Sequence, residues 1–276
     1  MKLFEKKIPL ATEPTDSSLQ TANQTHTDRM LCLALDIGEH MLRNGGEIHR
    51  IEDTLERICL AYGAAHVEIF TIPSLVMAAV RMPDGSYSSQ IRRVYASNKD
   101  LYRLEQFNAI SRRICTEKPS FDEVERMIRS AKQARPYSSF WVILGSVLAS
   151  GGFAVFFGGS LRDGVAAALV GLILATLIRI ESHAFNQMVK TVLLSFVLGI
   201  LCFGVVEIGI GQDLGFVTIG AIMLLIPGLD MGNALRDLLC GNLLSGTLRT
   251  VQSLLLAVMI SFGYAASLLI TGGLAA

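Results

Sequence analysis

The residues best suited to chemistry lie in one apolar stretch near the carboxyl end of the 276-residue chain. Pro227 and Gly228 interrupt this stretch. The polar side chains that follow them are Asp230, Asn233, Arg236 and Asp237. Because proline removes a backbone hydrogen bond and clashes with the preceding turn, we expect a break in the helix there. Ionisable groups inside a membrane helix are costly, so they are functional candidates by default.

The chemistry of this cluster is that of a solute pathway. Broken helices at membrane depth are tolerated inside protein or along a water-filled cavity, and their half-helix N-termini can meet anionic groups. We expect the helix terminus after Pro227, with Asn233 and Arg236, to meet a carboxylate. The carboxylates that could carry a proton or pair with an ammonium group are Asp230, Asp237 and Glu207.

A structural interpretation of the same residues stays open. Pro227 also fits a tolerated kink, with Arg236 and Asp237 at the membrane interface rather than inside the membrane. Glu207, near the end of the preceding apolar run, also fits a contact with lipid headgroups. The type and spacing of these residues alone do not choose between a pathway and an interface.

A second set of polar residues, in the amino-terminal half, offers a different chemistry. With Ser74 as nucleophile, His49 as its base and a carboxylate to orient the imidazole, the chain would be a hydrolase. No nucleophile-elbow motif supports this interpretation, and His49 and Glu52 equally fit a surface pair on one helix face. The five cysteines are scattered without a CxxC pair, so we expect no metal site, and no motif predicts a cofactor.

The charged residues divide the chain into two unlike parts. Residues 1–135 contain 19 Lys/Arg and 18 Asp/Glu, whereas residues 136–276 contain only 5 and 6. The formal net charge of zero excludes the basic surface expected of a nucleic-acid-binding protein. We therefore predict a disordered tail over 1–27 without a secretory signal, an α+β domain over 28–135 and a helical transmembrane domain over 136–276.

The polar domain is predicted to have the element order ααβββαα. Two amphipathic helices flank Asn44-Gly45-Gly46, since glycine accepts the left-handed backbone of a helix end. Alternating and β-branched runs predict three strands, His66–Thr71, Leu75–Arg81 and Tyr87–Val94. Pro83-Asp84-Gly85-Ser86 is a turn signal between the last two. One further helix is expected from Asn98 and another behind the capping box Ser120-Phe-Asp-Glu123.

The apolar half is predicted to be an all-α, multi-pass membrane domain of about five transmembrane helices, one broken at Pro-Gly. A span needs about 17–25 residues. The predicted spans are Phe140–Phe157, Gly164–Ile178, Thr191–Gly209, the interrupted Phe216–Leu235, and Val251–Thr271. Near the ends of the predicted spans, seven Lys or Arg lie on one side of the membrane and only Arg162 lies on the other. This bias predicts a cytosolic N-terminal domain and an outside C-terminus.

Two ordered motifs resemble those of the threonine/serine exporter (ThrE-like) family, and the resemblance runs from about Asp28 to Arg249. The first covers Gly45–Thr54, Ala61-Tyr62-Gly63 and Thr71-Ile72-Pro73-Ser74; its motif residues are Gly46, Glu47, Arg50, Glu52, Asp53, Thr54 and Ser74. The second comprises Pro227-Gly228, Asn233, Arg236-Asp237-Leu238, Gly241, Gly246 and Arg249. One departure bears on ion coupling, because Asn242 stands where the family pattern has an acidic residue.

The resemblance implies a transporter subunit rather than an enzyme. Fused members of the family carry about ten spans, so a five-span chain is similar to the split, YjjP-like subunit with a small YjjB-like membrane partner in a hetero-oligomer. It implies export across the bacterial inner membrane, driven by the proton motive force, of threonine and serine, or of C4-dicarboxylates such as succinate. Two rivals stay open: a membrane-tethered hydrolase around His49 and Ser74, and an accessory scaffold without a substrate site.

Overall fold

The computed structural model describes residues 15–95, 99–134, 137–179 and 186–274. The chain divides into two compact units, Met1–Ala134 and Arg135–Ala276, and each contains a hydrophobic core of its own. The division coincides with the change in composition along the sequence. Ordinary globular packing therefore belongs to the first unit and apolar helices to the second.

The amino-terminal unit begins with two helices, α1 (Thr15–Arg43) and α2 (Ile48–Ala61). The chain is helical from Thr15, whereas a disordered tail was expected up to residue 27; residues 1–14 lie outside the described residues. The polar residues of this stretch disfavour a helix only weakly, and no proline interrupts it. Gly45, at φ 92°, ends α1, and the Gly46 amide donates to the Met41 carbonyl oxygen at 2.9 Å.

Three antiparallel strands follow in the spatial order β1-β2-β3, with bounds β1 His66–Ile72, β2 Leu75–Arg81 and β3 Tyr87–Arg93. These bounds agree with the expected strands to within one residue. Alternate residues of β2, namely Val76, Ala78 and Val80, are buried, which fixes one face of the sheet against the helices. In the β2–β3 turn Gly85 adopts φ 86°, as the turn signal requires.

Two more helices complete the unit, α3 (Leu101–Glu117) and α4 (Phe121–Gln133). The Asp100 carboxylate accepts from the Arg103 amide at 3.0 Å, and the Ser120 hydroxyl accepts from the Glu123 amide at 3.4 Å, so each helix has a side-chain cap. Asn98, where the first of these helices was expected to start, lies outside the described residues. The element order within the described residues is ααβββαα.

In the described part of the carboxyl-terminal unit, helices are joined by short turns and loops. Its helices are α5 (Ser139–Phe156), α6 (Leu161–Arg179), α7 (Gln187–Glu207), α8 (Leu214–Ile222), α9 (Gly228–Leu239) and α10 (Leu243–Leu274). Four of the helices in the described part of the chain are long and apolar enough to cross a membrane: α5, α6, α7 and α10. The expected five spans thus correspond to four long helices and one interrupted segment.

The interrupted segment is the pair α8 and α9. These helices have 9 and 12 residues, and at 1.5 Å per residue neither reaches across about 30 Å of hydrocarbon. Pro227 stands at the start of α9 with φ −78° and ψ 55°, outside helical geometry. The last span was expected to start at Val251, whereas α10 begins at Leu243, so Arg249 lies within the helix. An ion pair between Arg249 and Asp237 of α9 accounts for a charged residue in that position.

Glycines allow the long helices to approach one another closely. A Cβ added to Gly263 of α10 would lie 2.3 Å from the carbonyl oxygen of Val192 in α7. A Cβ added to Gly171 of α6 would lie 2.6 Å from the Ser150 Cβ in α5. Real Cβ atoms essentially never come this close to another heavy atom, so a side chain at either glycine would force the two helices to shift.

Candidate functional site

Helices α9 and α10 form a tight antiparallel hairpin that brings two distant parts of the sequence together. Gly241, at φ 89°, makes the turn between them, and the Asn242 amide donates to the Asp237 carbonyl oxygen at 2.9 Å. A Cβ on Gly246 would lie 2.6 Å from the Leu238 Cγ and 2.9 Å from the Leu238 backbone nitrogen. Glycine at this position therefore lets α10 lie directly against α9.

An ion pair joins the two helices inside this hairpin. The Arg249 Nε lies 3.6 Å from the Asp237 Oδ2, and 9% and 0% of the two side chains are exposed. A carboxylate and a guanidinium removed from water lose several kcal/mol of hydration each, so a pair of this kind is costly to maintain. The two charges have opposite signs and lie on facing helices, so the pair links α9 to α10.

The ion pair belongs to a larger set of buried polar side chains, which we call the α9–α10 interface. Its members are Asn233 and Asp237 on α9, and Ser245, Arg249 and Ser253 on α10. The three residues from α10 follow one another at intervals of four, which places them on one face of an otherwise apolar helix. This spacing is the signal by which the sequence could have revealed Ser245 and Ser253, neither of which was predicted as a site residue.

Ser253 differs from other hydroxyl residues of α10. Thr250, Ser261 and Ser267 each donate to a carbonyl oxygen of the preceding turn, at 2.8, 3.0 and 2.6 Å. Ser253 is fully buried, yet its hydroxyl has no hydrogen-bond partner within the described residues. A buried hydroxyl left unpaired costs about 1–3 kcal/mol, and a polar ligand at the interface would remove that cost.

The other residues expected along the pathway occupy different surroundings. Pro227 is buried and Asp230 is half-buried in the first turn of α9, whereas Gly228 and Arg236 are exposed. Glu207 is the last residue of α7 and is exposed. The structure therefore brings Asn233 and Asp237 into the α9–α10 interface and leaves Arg236 and Glu207 on the surface of the unit.

A second buried carboxylate, Asp163 at the start of α6, accepts hydrogen bonds from neutral donors. Its Oδ2 accepts from the amide and the hydroxyl of Ser160, at 2.9 and 2.7 Å. Its Oδ1 accepts from the amides of Gln212 and Asp213, at 2.7 and 2.9 Å. Asp163 thus caps α6 and fastens the α7–α8 loop to it, which is a structural role.

In the amino-terminal unit the motif residues form structural contacts. Glu52 Oε1 accepts from the Thr71 amide at 2.8 Å, which ties α2 to the end of β1. Asp53 Oδ1 accepts from Arg57 Nε at 2.9 Å, one turn along the same helix. Glu47 occupies the N-cap position of α2 in extended geometry. The Glu52 carboxylate therefore holds the end of β1 against α2.

The remaining motif residues include Ser74, the nucleophile of the hydrolase hypothesis, and Arg50 and Thr54, which lie close in sequence to its base, His49. His49 and Arg50 are exposed on the first turn of α2, Thr54 is half-buried, and Ser74 is exposed in the β1–β2 turn. Over residues 15–95, 99–134, 137–179 and 186–274, no group of three or more His, Cys, Asp or Glu side chains is placed to hold a metal ion. Within those ranges the α9–α10 interface is the cluster that combines burial, opposite charges and an unpaired hydroxyl.

Comparison with known families supports the resemblance seen in the motifs. A family model described as "Putative threonine/serine exporter", ThrE, matches residues 32–271. The chain belongs to the ThrE family. The match spans both units and includes Asn233, Asp237 and Arg249, so the α9–α10 interface lies inside the ThrE region.

One curated relative is similar over most of the chain. An uncharacterized protein of Schizosaccharomyces pombe is 24% identical over 253 residues, which are 88% of this chain and 30% of that protein. The chain therefore spans less than a third of the length of this relative. No solved structure matches the chain.

Proposed function

We propose that the chain is a subunit of a secondary exporter that carries small carboxylate-bearing metabolites across the cell membrane. Threonine and serine are the first candidate substrates, and C4-dicarboxylates such as succinate are the second. The observation that carries the proposal is the buried pair of Asp237 and Arg249 within an apolar helical unit. Membership of the ThrE family supplies the class of function, a membrane exporter.

Burying the charges of Asp237 and Arg249 costs free energy, because both lose hydration. Replacing a buried ion pair with apolar residues of similar volume is often neutral or stabilising by about 1–4 kcal/mol, so such a pair is weak evidence for a purely structural role. Ionisable groups between membrane helices commonly mark the path of a substrate or an ion. Arg249 is the buried cation of the interface, so we assign it, rather than the exposed Arg236, to the substrate carboxylate.

The broken segment supports a pathway at the same place. Irregular backbone at membrane depth is found where protein buries it or where it lines a cavity, and the α8–α9 break at Pro227 leads directly into the helix that carries Asn233 and Asp237. In the proposed pathway Asp230 and Glu207 are acidic groups along the route, and Gly228 gives the backbone freedom at the break.

The surroundings of the exporter are part of the proposal. We place the unit in the inner membrane with the amino-terminal unit in the cytosol and the C-terminus outside, and we take the proton motive force as the driving energy. A small YjjB-like membrane subunit is the proposed partner in a hetero-oligomer. Large apolar side chains are exposed along the spans, among them Leu148, Phe156 and Val258, and such surfaces suit lipid or a second membrane subunit.

The experiment is the efflux of radiolabelled threonine, serine and succinate from cells that express the chain with and without the partner subunit. Arg249→Gln is expected to abolish efflux, and the matched control Arg236→Gln, on the exposed side of α9, is expected to retain it at equal protein levels. Efflux that survives Arg249→Gln overturns the site assignment. If neither arginine variant changes efflux while Ser74→Ala abolishes function, the result favours the hydrolase hypothesis. If the partner subunit exports the substrates without this chain, the result favours an accessory scaffold.

A further inference from the structure

The sheet of the amino-terminal unit has one face against the helices and an opposite face that is exposed within the described residues. Alternate residues of β2 are buried on the helix side. The residues between them point the other way, because successive side chains of a strand alternate between the two faces. On that opposite face Phe70, Met77 and Ile91 are 50%, 37% and 56% exposed. Each of the three strands therefore presents a large apolar side chain on the same surface.

The register of the strands brings these three side chains into one row. Phe70 is paired with Met77, and Met77 is paired with Ile91. The neighbouring row adds Ile72 and Leu75, which are half-buried. We call the even-numbered residues of β1 and the odd-numbered residues of β2 and β3 the outward sheet face. Single exposed apolar residues are ordinary, whereas a contiguous apolar patch marks an interaction surface.

We propose that the outward sheet face is a contact surface between two copies of this chain, which pack sheet against sheet about a two-fold axis along β2. Two sheets stacked in this way keep their strands roughly aligned and lie about 10 Å apart, with their facing side chains in contact. Met77 of one copy then meets Met77 of the other, and Phe70 of each copy meets Ile91 of the other. The apolar row of one copy is thus covered by the apolar row of the other.

The distribution of charge on the outward sheet face favours a second copy of this chain as its occupant. An axis along β2 places β1 of each copy over β3 of the other. The outward residues of β1 include the acidic Glu68 and those of β3 the basic Arg93, so an acidic strand lies over a basic one on both sides of the axis. Arg81 lies on the axis at the rim of the sheet, and Glu68 is its diagonal neighbour and offsets its charge. The face therefore complements itself, as a two-fold contact requires.

The size of the outward sheet face predicts a weak contact that is favoured in a membrane. Three strands of seven residues each cover about 14 by 24 Å, or about 340 Å² in projection. A standard interface buries about 800 Å² on each partner, so this contact belongs to the weak class. Copies of a membrane protein share one thin layer, which raises their effective concentration. We therefore expect the pair to form in membranes and to dissociate on dilution in detergent.

The first test is cross-linking of the full chain in membranes, with the exposed native thiol removed by Cys240→Ser. Met77→Cys lies on the proposed axis, so a short bismaleimide is expected to link two copies of this variant. Leu60→Cys, at a position on α2 that is 47% exposed, is the matched control and is expected to give no pair. Phe70→Cys and Ile91→Cys are expected to cross-link when the two variants are co-expressed with different tags, and much less when either is expressed alone.

The second test reverses a charge at the axis. Met77→Glu alone, or Met77→Lys alone, places two like charges together and is expected to weaken self-association about 100-fold. When the two variants are mixed, each glutamate meets a lysine, so pairing between them is expected to return. Energy transfer between donor-labelled and acceptor-labelled chains in vesicles measures the pairing, and melting temperatures check that the variants are folded. Leu60→Glu is the control and is expected to pair as wild type does.

The outcomes decide the occupant of the outward sheet face. If Met77→Cys cross-links to the partner subunit, or forms no cross-link, the face is not a contact between two copies and the inference is wrong. The inference also fails if the mixture of folded Met77→Glu and Met77→Lys stays unpaired, because a lipid or another protein on this face gains nothing from mixing. If the charged variants do not fold, the cross-linking decides alone. Neither test measures efflux, so both results are independent of the proposed function.

Discussion

Two buried aspartates of the carboxyl-terminal unit, Asp163 and Asp237, have opposite kinds of partner. Asp163 accepts four hydrogen bonds from amides and a hydroxyl at 2.7–2.9 Å, and all of these donors are neutral. Asp237 lies 3.6 Å from the guanidinium of Arg249 on another helix. Fixed neutral donors suit a carboxylate that holds a loop in place, whereas a buried ion pair between two helices is costly to maintain and is weak evidence for a purely structural role.

The largest expected effect comes from separating the charges of the pair. Arg249→Met leaves the Asp237 carboxylate buried without this partner, so we expect a loss of about 3–5 kcal/mol in the free energy of unfolding. The double variant Asp237→Leu/Arg249→Met removes both charges and is expected to return to wild-type stability or above it. Thermal unfolding in detergent measures both. A single variant as stable as wild type would show that the pair is not desolvated.

The next effect concerns Asp163 and its neutral hydrogen-bond donors. Asp163→Ala leaves the amides of Gln212 and Asp213 without their acceptor and removes the cap of α6, which should cost about 2–4 kcal/mol. Because Asp163 is proposed to hold structure only, the folded fraction of the variant is expected to bind threonine with wild-type affinity. A fall in affinity that exceeds the fall in folded protein would give Asp163 a part in the site.

A smaller effect is expected where α10 lies against α9. Gly246→Ala places a methyl group 2.9 Å from the Leu238 backbone nitrogen, so the helices must separate, at a cost of about 1–2 kcal/mol. Gly232→Ala is the matched control, because nothing lies within 4 Å of a Cβ at that position. It is expected to leave stability unchanged or to raise it slightly through helix propensity. Melting temperatures of the two variants test this contrast.

The smallest effect separates the acid response of the amino-terminal unit from that of the two aspartates. Burial, followed by the positive charge of Lys132, lowers the pKa of His40 from 6.5 to about 4, and its ring stacks on Phe107. The unfolded state therefore binds more protons between these values, so this contribution to stability is present above pH 6.5 and is lost as the pH falls towards 4.

His40→Phe keeps a ring against Phe107 and cannot titrate, so its melting temperature should fall less than that of wild type over this range. The difference between the two pH profiles isolates the contribution of the histidine. If the profiles coincide, the acid response of the protein arises elsewhere, and the carboxylates of the other unit become its first candidates.

The fold was predictable where the signal is local. The three strands of the amino-terminal unit follow from alternation and from the Pro83–Ser86 turn, and the helix behind Ser120 follows from its capping box. The start of α1 at Thr15 was missed because a polar stretch rich in Thr, Ser and Gln is compatible with both a helix and a tail. The break at Pro227 was predicted, because proline acts on its own backbone.

The candidate site was predictable only in part, because it depends on how two helices meet. Asn233 and Asp237 were identified from ionisable and amide groups within an apolar run. The pairing of Asp237 with Arg249 requires the Gly241 turn and the close approach at Gly246. Arg249 looked like a charge flanking a span, since a sequence does not show that its partner lies twelve residues earlier on a facing helix. The exposure of Arg236 is likewise a property of the hairpin.

The measurement that tests the central claim most directly is threonine efflux by the double variant Asp237→Leu/Arg249→Met. This variant keeps the packing of the α9–α10 interface and removes both charges, so loss of stability does not obscure the result. The proposed function predicts a protein that inserts in the membrane and folds as wild type does, with efflux reduced to the level of cells lacking the chain. Wild-type efflux from this variant would contradict the claim and make the pair structural.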